Sequence, residues 1–265
     1  MRASAIALLV SLLSLAGAAP AAAGTTRRGY DISYPECGHG YPKHAAFGIV
    51  GVNGGLANDA NPCLTKEIAW AERLPGLASP KQAPSSLYIN TADPGPQAGV
   101  HDWPTSGSDS YGACHGGWSR ACAYLYGELR ADYSYDLVAD NDPKVASGVR
   151  WWLDIESSNS WATSSTSGYK GLNVAAIKGF ISGLLSSGAP RPVGVYSGAG
   201  EWQAITGLSA QATPSALGST TPSWITGTGT LNQARAQCSS AGFTGGHPKL
   251  AQYSANSFDA DLRCP

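Results

Sequence analysis

The chain has 265 residues with 17 basic and 18 acidic side chains, and only 13% of it is charged. A near-neutral, charge-poor surface excludes electrostatic capture of nucleic acid or anionic lipid as its principal task. Beyond the N-terminus no stretch reaches the roughly 18 apolar residues that a membrane-spanning helix needs.

Met1-Arg2 is followed by a mostly apolar run from Ala5 to Ala19, broken by Ser11 and Ser14, and then by Ala21-Ala22-Ala23 before Gly24. A short basic start, an apolar run too brief to span a bilayer and an A-x-A site describe a secretory signal peptide. Cleavage near Ala23 is expected, leaving residues 24–265 as one secreted, extracellular domain. Arg27 and Arg28 lie beyond that site, so they are not a twin-arginine export signal. Six cysteines, Cys37, Cys63, Cys114, Cys122, Cys238 and Cys264, are an even number in an exported chain and read as disulfides. Proximity favours Cys37 with Cys63, Cys114 with Cys122, and Cys238 with Cys264. The five histidines are scattered and no Cys-x-x-Cys occurs, so neither a metal site nor a cofactor is expected.

In chain order, β-branched or aromatic runs predict strands at 30–33, 47–53, 86–90, 151–156, 192–197, 223–226 and 249–254. Between them, helices are predicted from Thr65, as cap, to Leu74, from Trp118 to Val138, and from Asn173 to Leu185, with a stop at Gly188 before Pro190. Weaker helices are predicted at 201–205 and 231–238. Segments 92–117 and 157–168 read as long loops. Nearly continuous apolar strands alternating with helices over about 250 residues imply a parallel sheet covered on its outside, most economically a closed α/β barrel.

The fourth predicted strand, Arg150-Trp-Trp-Leu-Asp-Ile-Glu-Ser157, ends in two carboxylates. Side chains alternate along a strand, so Asp154 and Glu156 share a face, with Cα atoms roughly 6.6 Å apart. In a β/α barrel, function gathers at the C-terminal ends of the strands. Two neighbouring buried acids respond by raising the pKa of one, which then keeps a proton near neutral pH. That is the division of roles in a glycosidase, where one acid protonates the leaving oxygen and an ionised partner supports positive charge on the sugar. Other strand ends add polar groups: Asp31, Asn53, Asn90, Tyr196, Gln252 and Tyr253, with Asp259 and Asp261 following. Together they suggest a polar, acidic pocket on one face.

Gly29-Tyr-Asp-Ile-Ser33, Trp152-Leu-Asp-Ile-Glu156 and Gln252-Tyr-Ser-Ala-Asn256 resemble glycoside hydrolase family 25, the barrel-shaped lysozymes or muramidases. Ile177 and Phe180, Val195-Tyr-Ser197, and Trp224 with Ile225 fall in the family's order. The resemblance implies a single-domain, irregular TIM-like β/α barrel of five β/α units plus three closing strands. It also implies Glu156 as proton donor, with Asp154 and Asp31 completing an acidic floor. The chain departs from the family where the third strand reads Leu87-Tyr-Ile-Asn-Thr91, without the usual aromatic-histidine pair. No acid occurs in Ser223-Trp-Ile-Thr-Gly227, and Phe258-Asp-Ala-Asp261 matches the closing acidic motif loosely.

Trp103, Trp118 and Trp161 fall in predicted loops, where aromatic faces either stack on sugars or pack the loops themselves. Trp151 and Trp152 read as core. Ser197 lacks a G-x-S-x-G elbow, which disfavours acyl transfer. Three functions remain open. One is a secreted hydrolase of cell-wall or related polysaccharide, with peptidoglycan-type glycan favoured, acting as a monomer. The others are a catalytically silent glycan-binding barrel, and a hydrolase with a hard cation held by Asp31, Asp154 and Glu156.

Overall fold

The computed structural model describes residues 28–54, 57–78, 81–82, 84–97, 99–218, 221–255 and 257–265. The expected signal peptide lies outside the described residues. Eight strands form the closed barrel: β1 (Arg28–Ile32), β2 (Gly48–Gly51), β3 (Ser85–Asn90), β4 (Trp151–Asp154), β5 (Gly194–Ser197), β6 (Ser223–Thr228), β7 (Leu250–Ala255) and β8 (Phe258–Arg263). Strands β1 to β7 run parallel in chain order; β8 returns antiparallel and pairs with both β7 and β1 to close the ring. That reversal brings the start of β8 to the C-terminal face of the other seven, so Asp259 stands opposite Asp31.

Five strands lead into α-helices. β2 leads to α1 (Leu64–Ala71), β3 to α2 (Arg120–Ala139) and α3 (Pro143–Gly148), and β4 to α4 (Tyr169–Ser187). β5 leads to α5 (Ala199–Thr206) and α6 (Thr213–Leu217), and β6 to α7 (Leu231–Cys238). β1 is followed only by a 3-10 turn, Tyr34–Glu36, in which the Ser33 amide donates to Glu36 Oε2 at 2.9 Å. The long helices begin and end for local reasons. Ser119 caps α2 by accepting from the Cys122 amide, and α4 stops at Gly188, whose φ of 115° suits glycine.

Two expectations need correcting here. Thr65 does not cap α1: Cys63 occupies that place, and Thr65 turns outward to Asn141. α4 starts at Tyr169, four residues before Asn173. Asn173 is fully buried because its amide joins the Ala162 backbone to the Ile205 carbonyl.

Alternation along the strands separates two apolar layers. Phe47, Ile49, Trp152, Tyr196, Trp224 and Leu250 fill the barrel interior, with Trp224 4.4 Å from Tyr196 and 5.8 Å from Trp152 between ring centres. Residues of opposite parity, such as Val50, Leu87, Trp151, Leu153 and Val195, pack outward under the helices. Trp151 and Trp152 are therefore both core, on opposite sides of one strand. On the outside, α2 and α4 touch backbone to backbone: a Cβ on Gly127 would stand 2.2 Å from the Ala176 carbonyl oxygen, and one on Gly179 2.0 Å from that of Tyr124. Alanine at either place would push the pair apart.

All three expected disulfides are present, Cys37–Cys63, Cys114–Cys122 and Cys238–Cys264. Cys114–Cys122 ties the long 92–117 segment to α2. Trp103 and Trp118 pack there, 5.9 Å apart, with Trp103 also 5.3 Å from Tyr126 and its indole N–H donated to the Gly116 carbonyl. These two tryptophans pack the long loop.

Candidate active site

β4 ends at Asp154, so Glu156 stands just past the strand rather than in it. The ladder continues far enough to hold it: the Ile155 amide donates to the Tyr196 carbonyl at 2.9 Å, and the Ser197 hydroxyl donates to the Ile155 carbonyl at 2.7 Å. Ile155 faces outward and is fully buried, which keeps Asp154 and Glu156 on the inner side. The Glu156 carbonyl accepts from the Trp161 indole at 2.9 Å and from the Asn159 amide at 3.1 Å. The peptide carrying Glu156 is thereby pinned in place.

Asp154 is 6% exposed, and Glu156 is half-buried. The aromatic plug beneath them removes solvent, which disfavours charge. Burial pushes Asp154 well above the ordinary carboxylate range, Glu156 adds to the rise, and the Asn159 amide opposes it. Glu156 is also raised, by burial first and then by Glu201, against the Tyr196 hydroxyl.

A polar chain crosses the floor from Glu156 to Asp31. The Tyr196 hydroxyl lies within reach of the Glu156 carboxyl and donates to Thr226 Oγ1 at 2.7 Å or Gln252 Oε1 at 2.8 Å. Gln252 in turn donates from Nε2 to Asp31 Oδ2 at 3.1 Å. Behind Asp31, fully buried Asp261 faces the same carboxyl; burial first, and then the neighbouring acids, raise both. Asp259 stands at the rim, where partial desolvation raises its carboxyl. A cleft of about 460 Å³ opens over this end, lined by Asp31, Ser33, Glu36, Tyr88, Ser254 and Asp259 among others. Glu156 lies outside that lining, on the far side of Tyr196 and Gln252.

The structure gathers Asp31, Asn90, Asp154, Glu156, Tyr196, Gln252, Asp259 and Asp261 on one face, with Asn90 beside Asp154 in the strand ladder, and separates Tyr253 and Asn53 from them. Tyr253 is 4% exposed and packs in the outer layer, beside Arg28, because its neighbour Gln252 occupies the inward position. Asn53 is fully buried, and its amide joins the Asn90 backbone to the Ser134 hydroxyl, so it serves as a strut between β2 and β3. Asn90 is the other half of that strut, donating back to the Asn53 carbonyl at 3.1 Å. Trp161 is half-buried beside Glu156 and anchors its backbone.

Four residues were missed. Tyr88 and Thr226 share the inward parity of Asn90 and Trp224, a signal present in the sequence. Glu36 and Glu201 come from the turn after β1 and the first turn of α5, where only the closed ring shows that they reach the mouth.

For a cation, the carboxylates do not converge. Among the described residues, the one group bringing three ligand atoms within 4.8 Å of one another is Cys37, Cys63 and Glu67, and both cysteines are in a disulfide.

No family model matches the sequence, and no curated protein matches it. Solved structures do. The lysozyme of Streptomyces coelicolor is similar at TM-score 0.51 and 15% identity, covering 91% of this chain and 94% of the other. A family GH25 lysozyme from Aspergillus fumigatus follows at TM-score 0.50 and 13% identity, over 90% and 94%. The fold is that of the family 25 lysozymes. The modular autolysin LytC of Streptococcus pneumoniae is similar at TM-score 0.51 and 14% identity, over 88% of this chain but 46% of its own. The likeness therefore extends over most of this chain. Among the described residues no helix is long and apolar enough to cross a membrane.

Proposed function

We propose that the protein is a secreted glycosidase, a divergent relative of the family 25 lysozymes, acting on a cell-wall glycan of peptidoglycan type. The observation that carries this reading is the pair Asp154 and Glu156 at the end of β4. Both are raised by burial and by charge, and both are held in a fixed backbone at the mouth of a barrel whose other inward acids face them. Three disulfides in a chain without a free cysteine among the described residues support an oxidising, extracellular location.

In this reading Glu156 protonates the leaving glycosidic oxygen as the C–O bond breaks. Where the substrate carries a 2-acetamido group, its carbonyl oxygen attacks the anomeric carbon, oriented by Asp154. Glu156, now ionised, then takes a proton from the incoming water, and the product retains its configuration. Asp31, Tyr88 and Asp259 line the cleft beyond, where the neighbouring sugar would lie. Incubation with peptidoglycan, arabinan, galactan and chitin-type oligomers, with products identified by mass, tests the reading. Cleavage of an acetamido glycan that survives chelation of divalent ions is expected; no cleavage of any of the four would leave a silent binding barrel, and cleavage abolished by chelation would favour a metal-assisted hydrolase.

A further inference from the structure

Glu201 is the third residue of α5, after Gly198 at the N-cap. An acid there commonly turns back to the first amides of its own helix. Here its Oε1 crosses to the neighbouring loop and accepts from both the amide of Ser157, at 2.9 Å, and the Ser157 hydroxyl, at 2.6 Å. Its Oε2 stays over Gly198, 3.5 Å from where a Cβ would stand. Ser157 is the residue immediately after Glu156, and its own side chain is exposed. The contact therefore fixes backbone at the mouth rather than packing a core.

We propose that Glu201 is a positioning residue for the acid–base chemistry: it anchors the peptide that follows Glu156, and its carboxylate sets the field in which Glu156 gains and loses its proton. The proposal rests on the reading of Glu156 as the general acid. Glu156 is faced by Glu201 from α5, Tyr196 from β5, Asp259 from β8 and Asp154 from its own segment. Of these, Glu201 exerts the largest charge effect, exceeded only by burial; Asp259 acts in the same direction and the Tyr196 hydroxyl opposes both. An acid that must still hold its proton when substrate binds benefits from a nearby negative charge. Glu201 supplies one without projecting into the cleft over Asp31.

Two variants separate anchor from charge. Glu201→Gln keeps an oxygen for the Ser157 donors and removes the charge, whereas Ser157→Ala keeps the charge and removes the hydroxyl contact. The readout is a carbon-13 carboxyl titration of the full mature chain, the Glu156 signal being the one lost in Glu156→Gln. In Glu201→Gln, Glu156 should titrate at lower pH than in the wild type, and the alkaline limb of kcat should move down with it. In Ser157→Ala the titration should stay near its wild-type position while kcat falls roughly 3- to 10-fold with little change in KM, as expected from loosened geometry. Identical Glu156 titration in the wild type and Glu201→Gln, with the fold intact by circular dichroism, overturns the proposal. If the titration shifts as expected but no glycan is cleaved by the wild type, the link between Glu201 and Glu156 stands and the glycosidase reading falls.

Discussion

Glu156 and Asp93 are both carboxyls held up by burial, yet their surroundings differ. Glu156 sits at the open mouth, among Asp154, Glu201, Tyr196 and Asp259, on a peptide fixed from three directions. Asp93 lies at the start of the long loop, fully buried, with no hydrogen-bond partner for either oxygen among the described residues. Burial alone pushes it up to about 7. Its backbone amide is bonded to the Ser160 carbonyl at 2.8 Å, so the residue joins two loops. A perturbed pKa therefore marks desolvation, and only the first of these acids has the neighbours and the opening that chemistry requires.

The largest effect that would separate them is on turnover. Glu156→Gln should lower hydrolysis by at least ~10², the size expected for loss of a general acid, with the fold intact. Asp93→Asn should leave turnover within a few-fold of the wild type, and steady-state rates on one verified glycan check both. Asp154→Asn should also impair turnover strongly and leave no trappable glycosyl-enzyme. NMR of the first-formed anomer sharpens that point: an inverted product would reject retention, and an adduct on Asp154 or Asp31 would replace substrate assistance with a protein nucleophile.

Smaller effects fall on stability. Serine at both Cys238 and Cys264, whose link closes a separation of 26 residues, should cost about 2–4 kcal/mol by urea unfolding, more than the same change at Cys114 and Cys122, separated by 8. Thiol titration of the denatured, unreduced chain should read close to zero. The smallest effect is the pH dependence of melting. An acid whose folded pKa lies above its unfolded one contributes stability that is complete below about pH 4 and is lost as pH rises through the folded value. For Asp93 and Glu67 that value is about 7. The melting temperature should thus fall between roughly pH 4 and 7, and less steeply in Asp93→Asn; an unchanged slope would mean that Asp93 is not held neutral by the fold.

The parts of this molecule legible in the sequence were those that repeat locally. Strand parity placed Asp154 with Glu156, and cysteine proximity paired all six cysteines. The same parity, applied to the last parallel strand, shows that Gln252 and Tyr253 cannot both face inward. Asn53 looked like a strand-end ligand because nothing local reveals that β3 and α2 close over it. Glu36 and Glu201 could not be read at all: each reaches the mouth from an element whose position depends on closing the ring. Asp93 was equally silent, since its burial comes from the long loop folding against Ser160.

The most direct test of the Asp154–Glu156 site is digestion of a peptidoglycan-type glycan in water enriched in oxygen-18, with the products weighed by mass spectrometry. The wild type should release fragments carrying one heavy oxygen at each new reducing end, and Glu156→Gln should release almost none over the same time. Release at equal rates by the two proteins, or no labelled reducing end from the wild type, would contradict acid–base glycoside cleavage at this site.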